Sequence, residues 1–196
     1  MKKVILASAS KRRSSILKDC NIKHFVIPSG AEEIIASDLH VSEVVRINAE
    51  KKAEQVAENQ DSAIIIAADT LVAHGSDIIG KPASEKEAKD MLKRFSGQEL
   101  EVYTGLCVIE KPEEKKVSAT EKSSLTVVRL SDEKIERYFR LLGPYDKAGG
   151  FSIEGVGSLL FDNIQGSYFN ILGLSMIKLN ELFKEIGLEI LDYIGA

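Results

Sequence analysis

The sequence predicts a mixed α/β fold, a twisted sheet with flanking helices, and three observations carry that expectation. Short apolar runs alternate with helical patterns early in the chain: Val4-Ile5-Leu6-Ala7 reads as a buried strand and Ser14 to Cys20 as a helix. Ser62-Ala63-Ile64-Ile65-Ile66-Ala67-Ala68 is continuous, β-branched and uncharged, the pattern of a strand covered on both faces. The middle of the chain, Leu100 to Arg129, reads as a β-meander. Alternation followed by a meander gives a mixed sheet. No repeat, low-complexity tract or linker interrupts the 196 residues, so residues 1–196 read as one domain.

Taken in order, His24 to Pro28 predicts a second short strand and Val41 to Glu58 a helix. On that helix Val41, Val44, Val45, Ala49, Ala53 and Val56 form one apolar arc, and Lys52 falls inside it. A lysine there either snorkels to water or meets an anion at the end of its stem. The central strand runs to Asp69-Thr70 and resumes as Leu71-Val72-Ala73. An aspartate at the end of a buried strand is unfavourable unless it is paired or bound to a cation. Gly75-Ser76-Asp77 is a hairpin turn, and Gly80 and Pro82 hold Lys81 in a non-helical loop. Ser84-Glu85-Lys86-Glu87 is a capping box opening a helix to about Phe95. Leu100–Val102, Gly105–Glu110 and Ser118–Arg129 read as strands, and Asp132–Leu142 as a helix stopped by Gly143-Pro144. A glycine-rich stretch follows, with Asp146, Lys147 and Glu154 as its charges; then Ser158–Asp162 reads as a strand and Ser175–Glu185 as the last helix.

Composition excludes several classes. Apolar content of 44% and charged content of 29% are those of an ordinary globular chain, and a net charge of −4 argues against a non-specific nucleic-acid binder. No run is long enough to span a membrane, and no signal peptide is expected. Cys20 and Cys107 lack metal-ligand spacing and suit a reducing cytoplasm. His24, His40 and His74 share no short spacing, so a histidine metal site is not expected, and neither is a serine–histidine pair for covalent catalysis.

The chemistry concentrates in two groups. The turn Ser8-Ala9-Ser10-Lys11-Arg12-Arg13 joins a strand to a helix, where free N–H groups and the helix dipole favour an anion with several oxygens. Helical spacing puts Arg13 on the side of Ile16, Leu17 and Cys20, as a fixed phosphate clamp with Ser8 and Ser10; Arg12 lies nearer the edge, towards a base. With Lys52 and Lys81 these residues could neutralise a polyphosphate. Glu33 and Asp69 are carboxylates without an evident partner in sequence, and an oxygen-only pair beside phosphates suits Mg²⁺ or Mn²⁺. A metal, a carboxylate base and a cationic cradle are the parts of phosphoanhydride hydrolysis. No Walker motif is present.

Ser8-Ala-Ser10-Lys-Arg12-Arg13, Glu33, Lys52-Ala53, Ala68-Asp69-Thr70, Gly80-Lys81-Pro82, Ser96-Gly97, Thr104-Gly105, Asp146-Lys147-Ala148-Gly149, Glu154-Gly155 and Gly173-Leu174 resemble, in order and spacing, the Maf family. The resemblance implies a fold similar to that of the inosine triphosphate pyrophosphatases, with two lobes around a cleft. It implies a cytoplasmic, metal-dependent nucleoside triphosphate pyrophosphatase, often dimeric. Asp69 is then the proton acceptor, Glu33, Lys52 and Lys81 lie close to phosphates and metal, and Glu33 and Asp69 hold the metal. Arg12 and Thr70 match the branch acting on dTTP and UTP, whereas Glu154 stands where that branch has glutamine and resembles the branch acting on 7-methyl-GTP. A carboxylate only accepts hydrogen bonds, which suits guanine's donor edge better than a pyrimidine imide. The competing expectation is a nucleotide-binding regulator of division or septum formation, with incidental turnover.

Overall fold

The computed structural model describes residues 1–36, 38–141, 149 and 151–195. Asp146, Lys147 and the expected stop at Gly143-Pro144 lie outside them. Strand β1 (Val4–Leu6) leads to α1 (Lys11–Asp19), β2 (Phe25–Val26), α2 (Val41–Ala57) and β3 (Ala63–His74). β1 pairs in parallel with both β2 and β3, as strands joined by helical crossovers do. β4 (Asp77–Ile79) folds back antiparallel on β3 through Gly75, whose φ of 61° is the left-handed conformation such a turn requires. Then come α3 (Glu85–Phe95), β5 (Glu99–Lys111), β6 (Lys115–Val127), α4 (Asp132–Leu141), β7 (Phe161–Gln165), α5 (Tyr168–Leu172) and α6 (Met176–Glu185). The strand order is β2-β1-β3-β5-β6-β7, with β4 on β3, so the mixed sheet with flanking helices is as expected.

The chain divides into two compact units: residues 1–70, 103–121 and 169–196 form the first, and 71–102 with 122–168 the second. In the first unit the strands sort their side chains by parity, because neighbours on a strand point to opposite faces. Val4, Leu6, Ile64, Ile66, Ala68, Leu106 and Val108 pack with Ile16 and Leu17 of α1 and with Leu179, Leu182 and Phe183 of α6. Ile5, Ala7, Ala63, Ile65, Ala67, Cys107 and Ile109 pack instead on Ala49, Ala53 and Val56 of α2. The apolar arc of α2 is the face laid on the sheet, as its spacing predicts. In the second unit α3 and α4 are joined by ion pairs from Lys89 to Glu136 and from Lys93 to Asp132, with Leu92, Phe95, Ile135 and Tyr138 buried.

The expected breaks in the strands are absent. β3 runs unbroken through Asp69 and Thr70, and β5 through Tyr103 and Thr104, because side chains from neighbouring elements satisfy the polar groups. The strand expected over Ser158–Asp162 is displaced: Gly155–Leu160 is a short 3₁₀ helix and the strand follows as β7. Gly157 lies so close to the Ser152 carbonyl that a Cβ would stand 1.7 Å from its oxygen, so the chain turns tightly there before it can pair. The strand expected over His24–Pro28 shrinks to two residues, since His24 bonds the Ile22 carbonyl and Pro28 lacks an N–H. No helix among the described residues is long and apolar enough to cross a membrane.

Candidate active site

The parity of β3 separates two adjacent residues into two networks. Asp69 continues the odd series of Ile65 and Ala67 and faces α2; Thr70 continues the even series and faces α1. On the α2 side, Asp69 is 5% exposed, its Oδ1 accepts from Lys52 Nζ at 2.8 Å and its Oδ2 from Asn48 Nδ2 at 3.0 Å. Lys52 also reaches Glu33 Oε1 at 2.5 Å, with its own side chain 12% exposed. The lysine in the apolar arc thus meets anions, and the two carboxylates share it as the partner that sequence spacing did not reveal. Asn48 was missed altogether. Its signal is that it stands four residues before Lys52, one turn away on the same buried face.

On the α1 side, Ser10 caps the helix, its Oγ accepting from Arg13 N at 3.4 Å. Ser8, itself buried, accepts from Ser10 N at 3.2 Å and from Arg13 Nη1 at 3.1 Å. Both lone pairs of its hydroxyl are engaged, so what it can still offer is its proton. The guanidinium of Arg13 also donates through Nε to Gly173 O at 2.8 Å and through Nη2 to Thr70 Oγ1 at 3.0 Å. Burial pulls its pKa below the ordinary guanidinium value, against which the fields of Asp69 and Glu33 hold the charge. Arg13 therefore binds the serine turn, β3 and the Gly173 loop together. Gly173 has φ 99°, and a Cβ there would stand 3.2 Å from Thr70 Oγ1, so the loop comes this close only as glycine.

Thr104 donates to the Asn170 carbonyl at 3.0 Å, so in its 3.0 Å contact with Thr70 it is the acceptor and Thr70 the donor. With Arg13 donating to it as well, Thr70 keeps one lone pair for a ligand. Arg12 is half-buried at the start of α1. Lys81 and Glu154 belong to the second unit and are exposed; Glu154 precedes the 3₁₀ helix without capping it through its side chain.

The structure also forms a serine–histidine pair that sequence reading did not expect: Ser14 Oγ lies 2.8 Å from His24 Nε2. His24 Nδ1 faces the Ile22 carbonyl at 2.9 Å, and Ser14 is buried, so the pair ties α1 to the segment after it. Among the described residues no three of His, Cys, Asp and Glu cluster as a complete protein metal site. Glu33 and Asp69 each place a carboxylate oxygen on Lys52 Nζ, and oxygen donors are the type Mg²⁺ takes together with phosphate oxygens and water.

A mixed α/β sheet with a serine–arginine turn on one face and a lysine-bridged carboxylate pair on the other defines an α/β protein that gathers buried charged side chains around β3. More specifically, the chain belongs to the Maf-like protein family, whose model matches residues 3–186. A relative from Caldicellulosiruptor bescii named dTTP/UTP pyrophosphatase is 41% identical over 195 residues, covering 97% of this chain and 98% of its own. One of the same name from Bacillus cereus is 40% identical over 190 residues, covering 97% and 98%. Among solved structures, the Ham1 protein of Staphylococcus aureus matches with a TM-score of 0.50 and 13% identity, over 92% of this chain and 91% of that one. That likeness concerns the fold alone.

Proposed function

We propose that the chain is a nucleoside triphosphate pyrophosphatase that cleaves between the α and β phosphates and prefers dTTP and UTP. The observation that carries the reaction is Asp69: a buried carboxylate with both oxygens oriented, one residue from the Arg13–Thr70 contact. Relatives about 40% identical and named for dTTP and UTP support the pyrimidine substrates over 7-methyl-GTP, as Arg12 and Thr70 do; Glu154 is the residue that departs.

In this reading the serine turn holds the polyphosphate. Ser8 donates its remaining proton, and the first-turn N–H groups of α1 and the nearby Arg13 charge complement the anion. Lys52 neutralises phosphate oxygens. Asp69 accepts the proton of the attacking water. Glu33 and Asp69 would hold Mg²⁺ or Mn²⁺, which when bound polarises phosphorus and neutralises developing charge. Two free cysteines suit a cytoplasmic protein, and a homodimer is its expected state.

The test is pyrophosphate release from dTTP, UTP, CTP, GTP and 7-methyl-GTP with Mg²⁺ or Mn²⁺. dTTP and UTP should lead, and Asp69→Asn should lose about 10²–10⁴-fold of turnover while keeping the fold. No release from any nucleotide overturns the activity; near-normal turnover in Asp69→Asn overturns the role of Asp69.

A further inference from the structure

We propose that Asn48 is a positioning residue that sets the geometry of Asp69 and of the Glu33 segment together. The proposal rests on the role given to Asp69 above. Asn48 is 2% exposed and uses its whole amide. Its Oδ1 accepts from Ile34 N at 2.8 Å, and its Nδ2 donates to Ile34 O and to Asp69 Oδ2, both at 3.0 Å. Two of the three partners only accept, so the orientation of the amide is dictated by its surroundings.

Lys52 alone cannot do this. An ammonium is a point charge with rotatable donors on a flexible stem, and a carboxylate bound only through Oδ1 is free to swing about that contact. The bond from Asn48 to Oδ2 supplies the second anchor and so fixes the plane of the Asp69 carboxylate. The same side chain clamps both peptide groups of Ile34, the residue after Glu33. Lys51 Nζ holds the carbonyl of Glu32 at 2.6 Å, and Lys52 holds the Glu33 carboxylate itself. Three consecutive residues, Glu32, Glu33 and Ile34, are therefore each fastened to α2, and Asn48, like Lys52, also touches Asp69. It joins the two carboxylates into one geometric unit without contacting the serine turn.

That placement separates its effects. Substitution should weaken the chemical step and leave nucleotide binding nearly intact. In Asn48→Leu, which keeps the volume, kcat should fall about 10- to 100-fold while KM stays within about twofold. In the metal-free protein, hydrogen exchange at the Ile34 amide should accelerate by about tenfold or more, because its acceptor is gone. Asn48→Ser, too short to span the same partners, serves as the second variant if the leucine protein does not fold, with the same outcome expected. A kcat within about twofold of the parent, or a loss confined to KM, overturns the proposal. So does unchanged exchange at Ile34. If the parent protein releases no pyrophosphate, the reaction reading fails by itself, and Ile34 exchange then decides whether Asn48 holds the Glu33 segment.

Discussion

Gly105 is where fold and site can be tested by one methyl group. It lies in β5 on the odd-numbered face, against the backbone of α2. A Cβ there would stand 2.2 Å from Val45 O, 2.3 Å from its carbonyl carbon and 2.6 Å from Arg46 N. Carbon–oxygen contacts settle no closer than about 3.3 Å, so Gly105→Ala forces α2 away by about 1 Å. Every clashing atom is backbone, and no side chain can rotate aside. α2 carries Asn48 and Lys52, so the same shift stretches their bonds to Asp69, now 3.0 and 2.8 Å, towards 4 Å. Overpacking costs about 1–3 kcal/mol, and weakening the bonds to a buried carboxylate adds about 2. At roughly 2–4 °C per kcal/mol for a chain of this size, a loss of about 3–5 kcal/mol lowers Tm by roughly 6–20 °C. On the role proposed for Asp69, a 1 Å displacement of its two anchors should also reduce kcat by about 10²-fold. Thermal unfolding and pyrophosphate release on the same preparation read both effects. A Gly105→Ala protein with unchanged Tm and kcat would falsify the coupling of β5 to the site through α2.

Arg13→Lys should destabilise by about 2–3 kcal/mol in urea unfolding, because one ammonium cannot reproduce a fork that reaches Gly173 O, Ser8 and Thr70; a loss below about 0.5 kcal/mol would show that the fork is dispensable. Burial pushes the Cys107 thiol up to about 12, so a disulfide reagent at neutral pH should leave it untouched until the protein unfolds, and rapid labelling of the native state contradicts its placement. Partial burial opposes ionisation of Glu50, yet hydrogen bonds from Ser118 and Arg46 outweigh it and hold the carboxyl below its ordinary range. A lowered carboxylate pKa contributes stability above the unfolded value, lost as pH falls through the folded one. The difference in stability between the parent and Ser118→Ala should therefore be full at pH 7 and shrink at about pH 3, and a difference that grows in acid refutes this.

Much of the site was legible because its chemistry is local. Ser8, Ser10, Arg12 and Arg13 declare a cationic strand-to-helix turn, a reading that needs only adjacency, although the helix begins at Lys11 and not at Ser14. Asp69 stood out because a charge follows a run of seven apolar or small residues. Asn48 did not, since a neutral amide between Ile47 and Ala49 carries no charge to attract attention. Its meaning comes from Ile34, fourteen residues earlier, and Asp69, twenty-one later. Ser14 and His24 likewise look unrelated until the chain turns back after α1.

By itself the sequence determined the alternation of strands and helices and the buried faces of α1 and α2. Periodicity and side-chain chemistry are properties of neighbours along the chain. Only the tertiary structure decided that Lys52 joins Glu33 to Asp69, that Thr70 turns away from its neighbour to meet Arg13, and that β3 and β5 run unbroken through their polar residues. Those outcomes depend on which strand face meets which helix, and the parity of the strand acquires a direction only when α1 and α2 close on opposite sides of the sheet.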